Sequence, residues 1–270
     1  QMQLLASHFN VLPLREAAQR LRNGTLPARA ACVTFDDGYA DNYTVALPIL
    51  KETGVPATFF IATAYLDGGR MFNDTLIEFA KAAPPGICDL SRIGLGTHTV
   101  DTVADRRTLM AKLIGHFKYQ PPEHRLPAAE QLAADFDIHL PDDLMMRTDQ
   151  LRALRAAGMD IGGHTQPHPI LARQTVDAAR EEIKHGKEHL ESLLGEPIRV
   201  SAYPNGRPIK DYGTEHVGMV AECGFEAAVS TRPAAAGRRS GVHELPRFTP
   251  WDKTPVRFGL RLLRTLLSTG

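Results

Sequence analysis

Two adjacent carboxylates, Asp36 and Asp37, stand in the run Val33-Thr34-Phe35-Asp36-Asp37-Gly38, directly after a β-branched and aromatic stretch. Such a pair can divide labour, one side chain holding an ion and the other accepting a proton, or it can be an ordinary Asp-Gly turn. Further along, His164 and His168 lie four residues apart in Ile161-Gly162-Gly163-His164-Thr165-Gln166-Pro167-His168-Pro169. If the backbone turns helically there, the two Cβ atoms fall ~5–6 Å apart and both imidazoles can reach one ion. His185 and His189 share this spacing but sit among Glu181, Glu182, Lys184, Lys187, Glu188 and Glu191, the pattern of a solvated helix face. Pro167 and Pro169 are costly in a helix interior, so His164 and His168 belong to a shaped loop or a first helical turn. A third segment, Ser201-Ala202-Tyr203-Pro204-Asn205-Gly206, also leaves a predicted strand.

These segments need elements to bring them together. Runs at 31–35, 57–62, 159–163, 198–203, 226–231 and 243–248 read as strands. Amphipathic helical patterns lie between them over 11–24, 41–54, 148–158 and 176–195, each ending on glycine. Strand–helix alternation predicts a mostly parallel sheet, closed as a barrel or open and doubly wound, with the chemistry at the carboxyl ends of its strands. Residues 64–148 break the rhythm and predict a mainly helical insertion, with helical patterns such as 109–119 and 128–138 beside a turn-rich stretch at 89–102. A length of 270 residues is compatible with a single domain built around that sheet.

Taken in order, Thr34-Phe35-Asp36-Asp37-Gly38, His164-Thr165-Gln166-Pro167-His168-Pro169 and Ala202-Tyr203-Pro204-Asn205-Gly206 resemble the successive motifs of the polysaccharide deacetylases, carbohydrate esterase family 4, the NodB-homology domain. The resemblance implies an α/β fold, a distorted (β/α)7-type barrel. It implies Asp36 as catalytic base, with Asp37, His164 and His168 holding a divalent metal ion, Zn²⁺ being the expected one. It also implies an oxyanion donor from the backbone amide of Tyr203, and hydrolysis of N-acetyl groups on an amino sugar of a polysaccharide or a lipid-linked saccharide. The chemistry suits the residues, because an amide carbonyl is a poor electrophile and a Lewis acid assists its hydrolysis.

Two family parts lack an obvious counterpart. Many members hold the catalytic Asp with an arginine in the third motif; Arg199 lies too early, and Arg247 in Leu245-Pro246-Arg247 can supply that cation or form a surface salt bridge. For the proton donor to the leaving amine, His243 is the candidate, against a structural role, and His216 is a second with a helix-capping role open to it. His98, His116, His124 and His139 fall in the insertion and are assigned no chemistry. Other readings stay open: an amidase acting on a non-carbohydrate C–N bond, a non-catalytic sugar-binding relative, and Fe(II)-dependent oxygen chemistry on the same ligand triad.

Thirty-one basic and thirty-one acidic residues cancel, so no overall field selects nucleic acid, and an N-acetylated saccharide is the expected partner. Cys32, Cys88 and Cys223 are odd in number and unclustered, which argues against a disulfide framework and slightly favours the cytoplasm. Neither a signal peptide nor a spanning segment is seen, although the chain opens on Gln1 and an upstream signal or first strand is compatible with that. At the far end, residues 256–267 place Phe258, Leu262 and Leu266 on one helical face and Arg257, Arg261 and Arg264 mostly on another. Core packing is the first reading of that helix, and peripheral membrane contact the second. The sequence leaves the oligomeric state open.

Overall fold

The computed structural model describes residues 1–118 and 120–267. The chain forms two compact units: Gln1–Asp67 with Met145–Gly270, and Gly68–Leu144. The inserted unit is therefore shorter than the predicted 64–148. Asp67 belongs to the first unit, accepting hydrogen bonds from the Thr148 backbone N–H (2.7 Å) and hydroxyl (2.6 Å), and Met146 N–H donates to the Gly38 carbonyl.

The first unit opens with α1 (Met2–His8), β1 (Asn10–Val11), α2 (Leu14–Asn23) and β2 (Ala30–Ala31), and continues through β3 (Val33–Phe35), α3 (Leu47–Thr53) and β4 (Ala57–Ile61). After the insertion come α7 (Thr148–Ala156), β7 (Asp160–Gly163), α8 (Val176–Leu194), β8 (Val200–Ala202), α9 (Thr214–Glu222), β9 (Ala227–Val229) and α10 (Pro255–Leu267). Five strands form one parallel sheet in the order β3-β4-β7-β8-β9, and β1 pairs in parallel with β2 in a separate ribbon. The large sheet curls as a half barrel with helices outside it, in accord with the predicted (β/α) class.

Burial on both faces explains the strand composition. All five residues of β4 are buried, and a parallel strand covered on both sides reads as a continuous apolar run. Phe59 is fully buried with Leu50, Ile61, Leu151, Leu154 and Ile183 in the main core, and its ring stacks on Phe35 with centroids 4.8 Å apart. In β7, a Cβ added at Gly162 would lie 2.4 Å from the Phe60 ring, so glycine is what lets β7 lie against it. The helices α3 and α8 stop at Gly54 and Gly195, whose left-handed φ of 65° and 69° serves their caps.

Two expectations are corrected. Residues 243–248 form no strand among the described residues; their tie to the sheet is an isolated bridge from Leu245 to Val229. Pro246 follows that bridge, and with no N–H it cannot extend a ladder. The predicted helix over 41–54 begins as a wider π turn, Asn42–Ala46, before α3. Pro48 has no N–H to return to the preceding turn, which locally breaks regular α-helical bonding.

The inserted unit comprises α4 (Phe72–Ala82), a hairpin of β5 (Ile87–Asp89) and β6 (Thr97–Thr99), α5 (Val103–Phe117) and α6 (Pro122–Asp135). Leu76, Phe79, Leu109, Leu113, Phe117 and Leu132 form its own core. Helix α5 starts in a capping box: Thr102 Oγ1 accepts from Asp105 N–H at 3.1 Å, and Asp105 accepts from Thr102 N–H at 2.8 Å. The antiparallel hairpin replaces part of the turn-rich stretch expected at 89–102. Tyr119, at the end of the predicted helical segment 109–119, lies outside the described residues.

Phe59→Ala deletes a fully buried aromatic ring and its stack on Phe35, so it is expected to destabilise the first unit by about 3–5 kcal/mol. Urea unfolding would measure this as a lowered midpoint; a loss under 1 kcal/mol would show that the ring is not central to the core.

Candidate metal centre and catalytic base

Parallel pairing of β3 with β4, β4 with β7 and β7 with β8 aligns the carboxyl ends of these strands. Asp36 and Asp37 follow β3, His164 follows β7 and Tyr203 follows β8, so residues far apart in sequence leave one edge of the sheet. Asp37 Oδ1 lies 3.4 Å from His164 Nε2 and 3.4 Å from His168 Nε2. Single ligand atoms of Asp37, His164 and His168 all fall within 4.8 Å of one another, a cluster able to hold one metal ion.

The fit to a divalent ion also rests on the other face of an imidazole. His164 Nδ1 lies 2.7 Å from the Ala202 carbonyl. A carbonyl only accepts, so Nδ1 carries the hydrogen and the Nε2 lone pair is left for a metal. His164 is 1% exposed, which holds the ring in that orientation. Two imidazoles and one carboxylate, gathered on one side, are a donor set well suited to Zn²⁺ with positions left for water and substrate.

The loop carrying the histidines is held from several sides. Thr165 and His168 have φ of 63° and 54°, and Asp37 has 75°, values that cost an L residue about 1–3 kcal/mol each. Thr63 and Ala64 N–H donate to the carbonyls of Thr165 and Gln166, and the Tyr65 hydroxyl donates to Pro167 O at 3.0 Å. Gln166 N–H donates to Glu182 at 3.2 Å. Within α8, Gly186 allows the Thr165 backbone to approach so closely that an added Cβ would sit 2.8 Å from the Thr165 carbonyl carbon. Gly186 and Tyr65 carry no chemical signal in the sequence, and Glu182, there part of a solvated helix face, instead holds the Gln166 N–H. A glycine in the middle of an otherwise regular helical pattern was the one available signal.

Asp36 is treated differently from its neighbour. Arg247 grips it bidentately, Nη1 to Oδ1 at 2.7 Å and Nη2 to Oδ2 at 2.8 Å. The guanidinium is itself aimed by Nη1 on Thr34 Oγ1 (3.0 Å) and Nε on Ser230 O (3.1 Å), and it lies 5.5 Å from the centre of the Phe60 ring. Arg247 is thus the cation beside Asp36, although its segment is not the strand the sequence suggested.

Two assignments fail on geometry. His243 sends Nε2 to the carbonyl of Phe225 at 2.9 Å, before β9 begins and therefore toward the amino end of the sheet, away from the Asp and His side chains. Its place as proton donor is withdrawn. The Tyr203 amide already donates to Val229 O at 3.3 Å, as sheet pairing requires, while its hydroxyl donates to His243 O at 2.8 Å and its ring stacks on Tyr212. Pro204 has no N–H, so the next backbone donor past the strand is Asn205, in a left-handed turn with φ 58°. His216 Nδ1 accepts from Gly213 N–H at 2.9 Å and serves as the cap that its position allowed.

A sequence profile described as polysaccharide deacetylase matches residues 23–228, more than half of the chain. The chain belongs to the polysaccharide deacetylase family. The family is one of hydrolases acting on the C–N bonds of N-acetyl groups. Among relatives, the Bacillus subtilis protein YxkH is 23% identical over 240 residues, 88% of this chain and 58% of its own. A poly-beta-1,6-N-acetyl-D-glucosamine N-deacetylase of Staphylococcus aureus is 34% identical over 79 residues, 29% of this chain and 27% of that enzyme. The chain thus spans little more than half the length of the first relative and about a quarter of the second. Among solved structures, the Streptococcus pyogenes deacetylase PplD in complex with acetate superposes with a TM-score of 0.62 at 21% identity, covering 98% of this chain and 83% of that one. IcaB from Ammonifex degensii gives 0.59 at 16% identity, covering 97% and 84%. At these identities the two structures establish a shared fold.

Electrostatics at this site follow the geometry. Burial pushes the Asp36 carboxyl up, but Arg247 and His164 outweigh it and hold it below the ordinary range. For Asp37, burial is likewise outweighed, by the hydrogen bond to His164 and the charge of both histidines. Burial and the neighbouring His164 push His168 down to about 4. His164 is pushed down by burial and, more strongly in sum, up by Asp37 and Asp36, so its pKa ends above 6.5.

These directions set a pH dependence. His168 is neutral well below neutral pH, whereas His164, held above its ordinary value, keeps its proton to higher pH and must lose it before Nε2 can ligate. Affinity for Zn²⁺ is therefore expected to rise with pH through the His164 titration, with a proton released from His164 on binding at pH values below that titration. Calorimetry in buffers of different ionisation enthalpy would count that proton; zero release at pH 6.5 would contradict the assignment. Gly186→Ala ought to stabilise an exposed helix by about 1 kcal/mol on propensity alone, but here its Cβ meets the Thr165 backbone. It should instead lower the unfolding midpoint and weaken Zn²⁺ binding at least tenfold in chelator competition, and unchanged affinity would refute the clamp.

Proposed function

We propose that this chain hydrolyses N-acetyl groups from amino-sugar residues of a polysaccharide, using a divalent ion, Zn²⁺, held by Asp37, His164 and His168. The observation that carries the reading is the division between two adjacent carboxylates: Asp37 turned to the histidines and Asp36 gripped by Arg247. Substrate class rests on family membership and on the local match to the staphylococcal N-deacetylase.

When bound, the ion supplies Lewis-acid polarisation of an amide carbonyl and makes water easier to deprotonate. The chain's own residues do the rest. Arg247 occupies one lone pair on each Asp36 oxygen, and a carboxylate has about four such sites, so Asp36 can still accept a proton from the attacking water. Its lowered pKa keeps it ionised at neutral pH and therefore ready as a base. The N–H of Asn205, past the end of β8, takes the oxyanion-donor role that the Tyr203 amide cannot fill. With His243 turned onto Phe225 O and His216 capping α9, Asp36 passes the proton it has accepted to the departing nitrogen.

Acetate release from N-acetylglucosamine oligomers, compared with small amides and cyclic imides, tests the substrate class; turnover of the small amides alone would overturn it in favour of an amidase. Asp36→Asn is expected to reduce kcat by about 10²–10⁴-fold while Zn²⁺ affinity is preserved, since the base is lost and the ligands are not. Arg247→Gln removes the cation that lowers Asp36, so the acid limb of the pH–rate profile should move to higher pH. An unmoved limb would disconnect Arg247 from the base. Turnover unaffected by removing oxygen would exclude Fe(II) oxygen chemistry.

A further inference from the structure

Helix α10 carries more apolar surface than the core uses. Its inner side places Phe258, 2% exposed, in the main core, with Leu262 packed against it, and both line an apolar cavity of about 300 Å³ beneath the helix. Val256, Leu260 and Leu263 form a second stripe at helical spacing that points outward, 73%, 62% and 55% exposed. A helix packed only on a core does not need that stripe. Among the described residues nothing covers it.

Charge at this place indicates what does. The chain as a whole has zero formal charge, yet residues 251–264 contain Lys253, Arg257, Arg261 and Arg264 against a single acid, Asp252. Arg261 pairs with Asp252. Arg257 and Arg264 have no acidic partner among the described residues and flank the outward stripe, one turn removed from its leucines on the helical wheel. Trp251, 79% exposed, stands just ahead of the helix. Leucine and valine side by side with unpaired arginines, preceded by an exposed tryptophan, are suited to a plane where hydrocarbon meets phosphate. A nucleic-acid backbone would use the arginines but leave the apolar stripe in water.

We propose that α10 docks this domain on an anionic lipid surface, seating Val256, Leu260 and Leu263 among the acyl chains with Arg257 and Arg264 at the phosphates. No helix among the described residues is long and apolar enough to cross a membrane, so the contact is peripheral. Trp251 is the only tryptophan in the chain and reports directly on that contact. The test is sedimentation with phosphatidylcholine vesicles containing a quarter phosphatidylglycerol, against pure phosphatidylcholine, while Trp251 emission is followed. The expected result is a blue shift and binding at least tenfold stronger to the anionic vesicles, weakened by raised salt. Leu260→Glu with Leu263→Glu should reduce binding at least tenfold while the circular dichroism spectrum and Zn²⁺ affinity stay unchanged. Arg257→Gln with Arg264→Gln serves as the second variant and should lose the preference for anionic lipid. Failure to bind anionic vesicles, or undiminished binding by both variants, would overturn the proposal. So would a lipid-independent dimer that the leucine substitutions dissolve, which would assign the stripe to a second copy of the chain.

Discussion

Adjacent aspartates repel, and in a single buried site one of them would ordinarily keep its proton. The fork of Arg247 prevents this. By bonding both oxygens of Asp36 it neutralises that carboxylate in place, so Asp37 can turn to His164 and His168 without two uncompensated charges side by side. Arg247 reaches across 211 positions of sequence to do so, and Thr34 Oγ1 and Ser230 O hold its own plane. Everything chemical at this sheet edge depends on that one pair, because a guanidinium fork fixes orientation as well as charge.

The second dependence is on strain and its containment. Asp37, Thr165, His168 and Asn205 all have positive φ at the ends of β3, β7 and β8. A loop in such conformations relaxes unless its surroundings over-determine it. Here the backbone of 63–64, the Tyr65 hydroxyl, Glu182 and the close approach at Gly186 together leave the histidine loop no room to do so. Rigidity of this kind has a functional use: ligand atoms already gathered need little reorganisation when an ion arrives. The Ala202 carbonyl contributes in the same sense by selecting the His164 tautomer.

The apolar surface of α10 belongs to a different part of the molecule and obeys a different logic. Its inner face helps close the core, and its outer face adds nothing to folding. Contiguous exposed apolar stripes commonly mark contact surfaces. A chain with balanced charge that concentrates arginine beside such a stripe has a local electrostatic preference that its net charge conceals.

The amino-acid sequence by itself determined the family, the alternation of strands and helices, and the four residues Asp36, Asp37, His164 and His168, because each was legible locally: a residue type, a spacing, and a strand end. The helical character of the insertion was legible in the same way, though its hairpin was not, since pairing Ile87–Asp89 with Thr97–Thr99 depends on register rather than on composition. Tertiary structure alone decided which cation serves Asp36, since no local pattern links residues 211 apart. It also moved His243 off the chemistry, because the imidazole position follows from where the 243–248 segment bridges β9. The Tyr203 amide could not be ruled out from sequence either: whether a backbone N–H is free depends on the strand beside it, and here that strand supplies the Val229 carbonyl. Local signals name the groups that can react; only the packing of distant segments settles which hydrogen bonds those groups have already made.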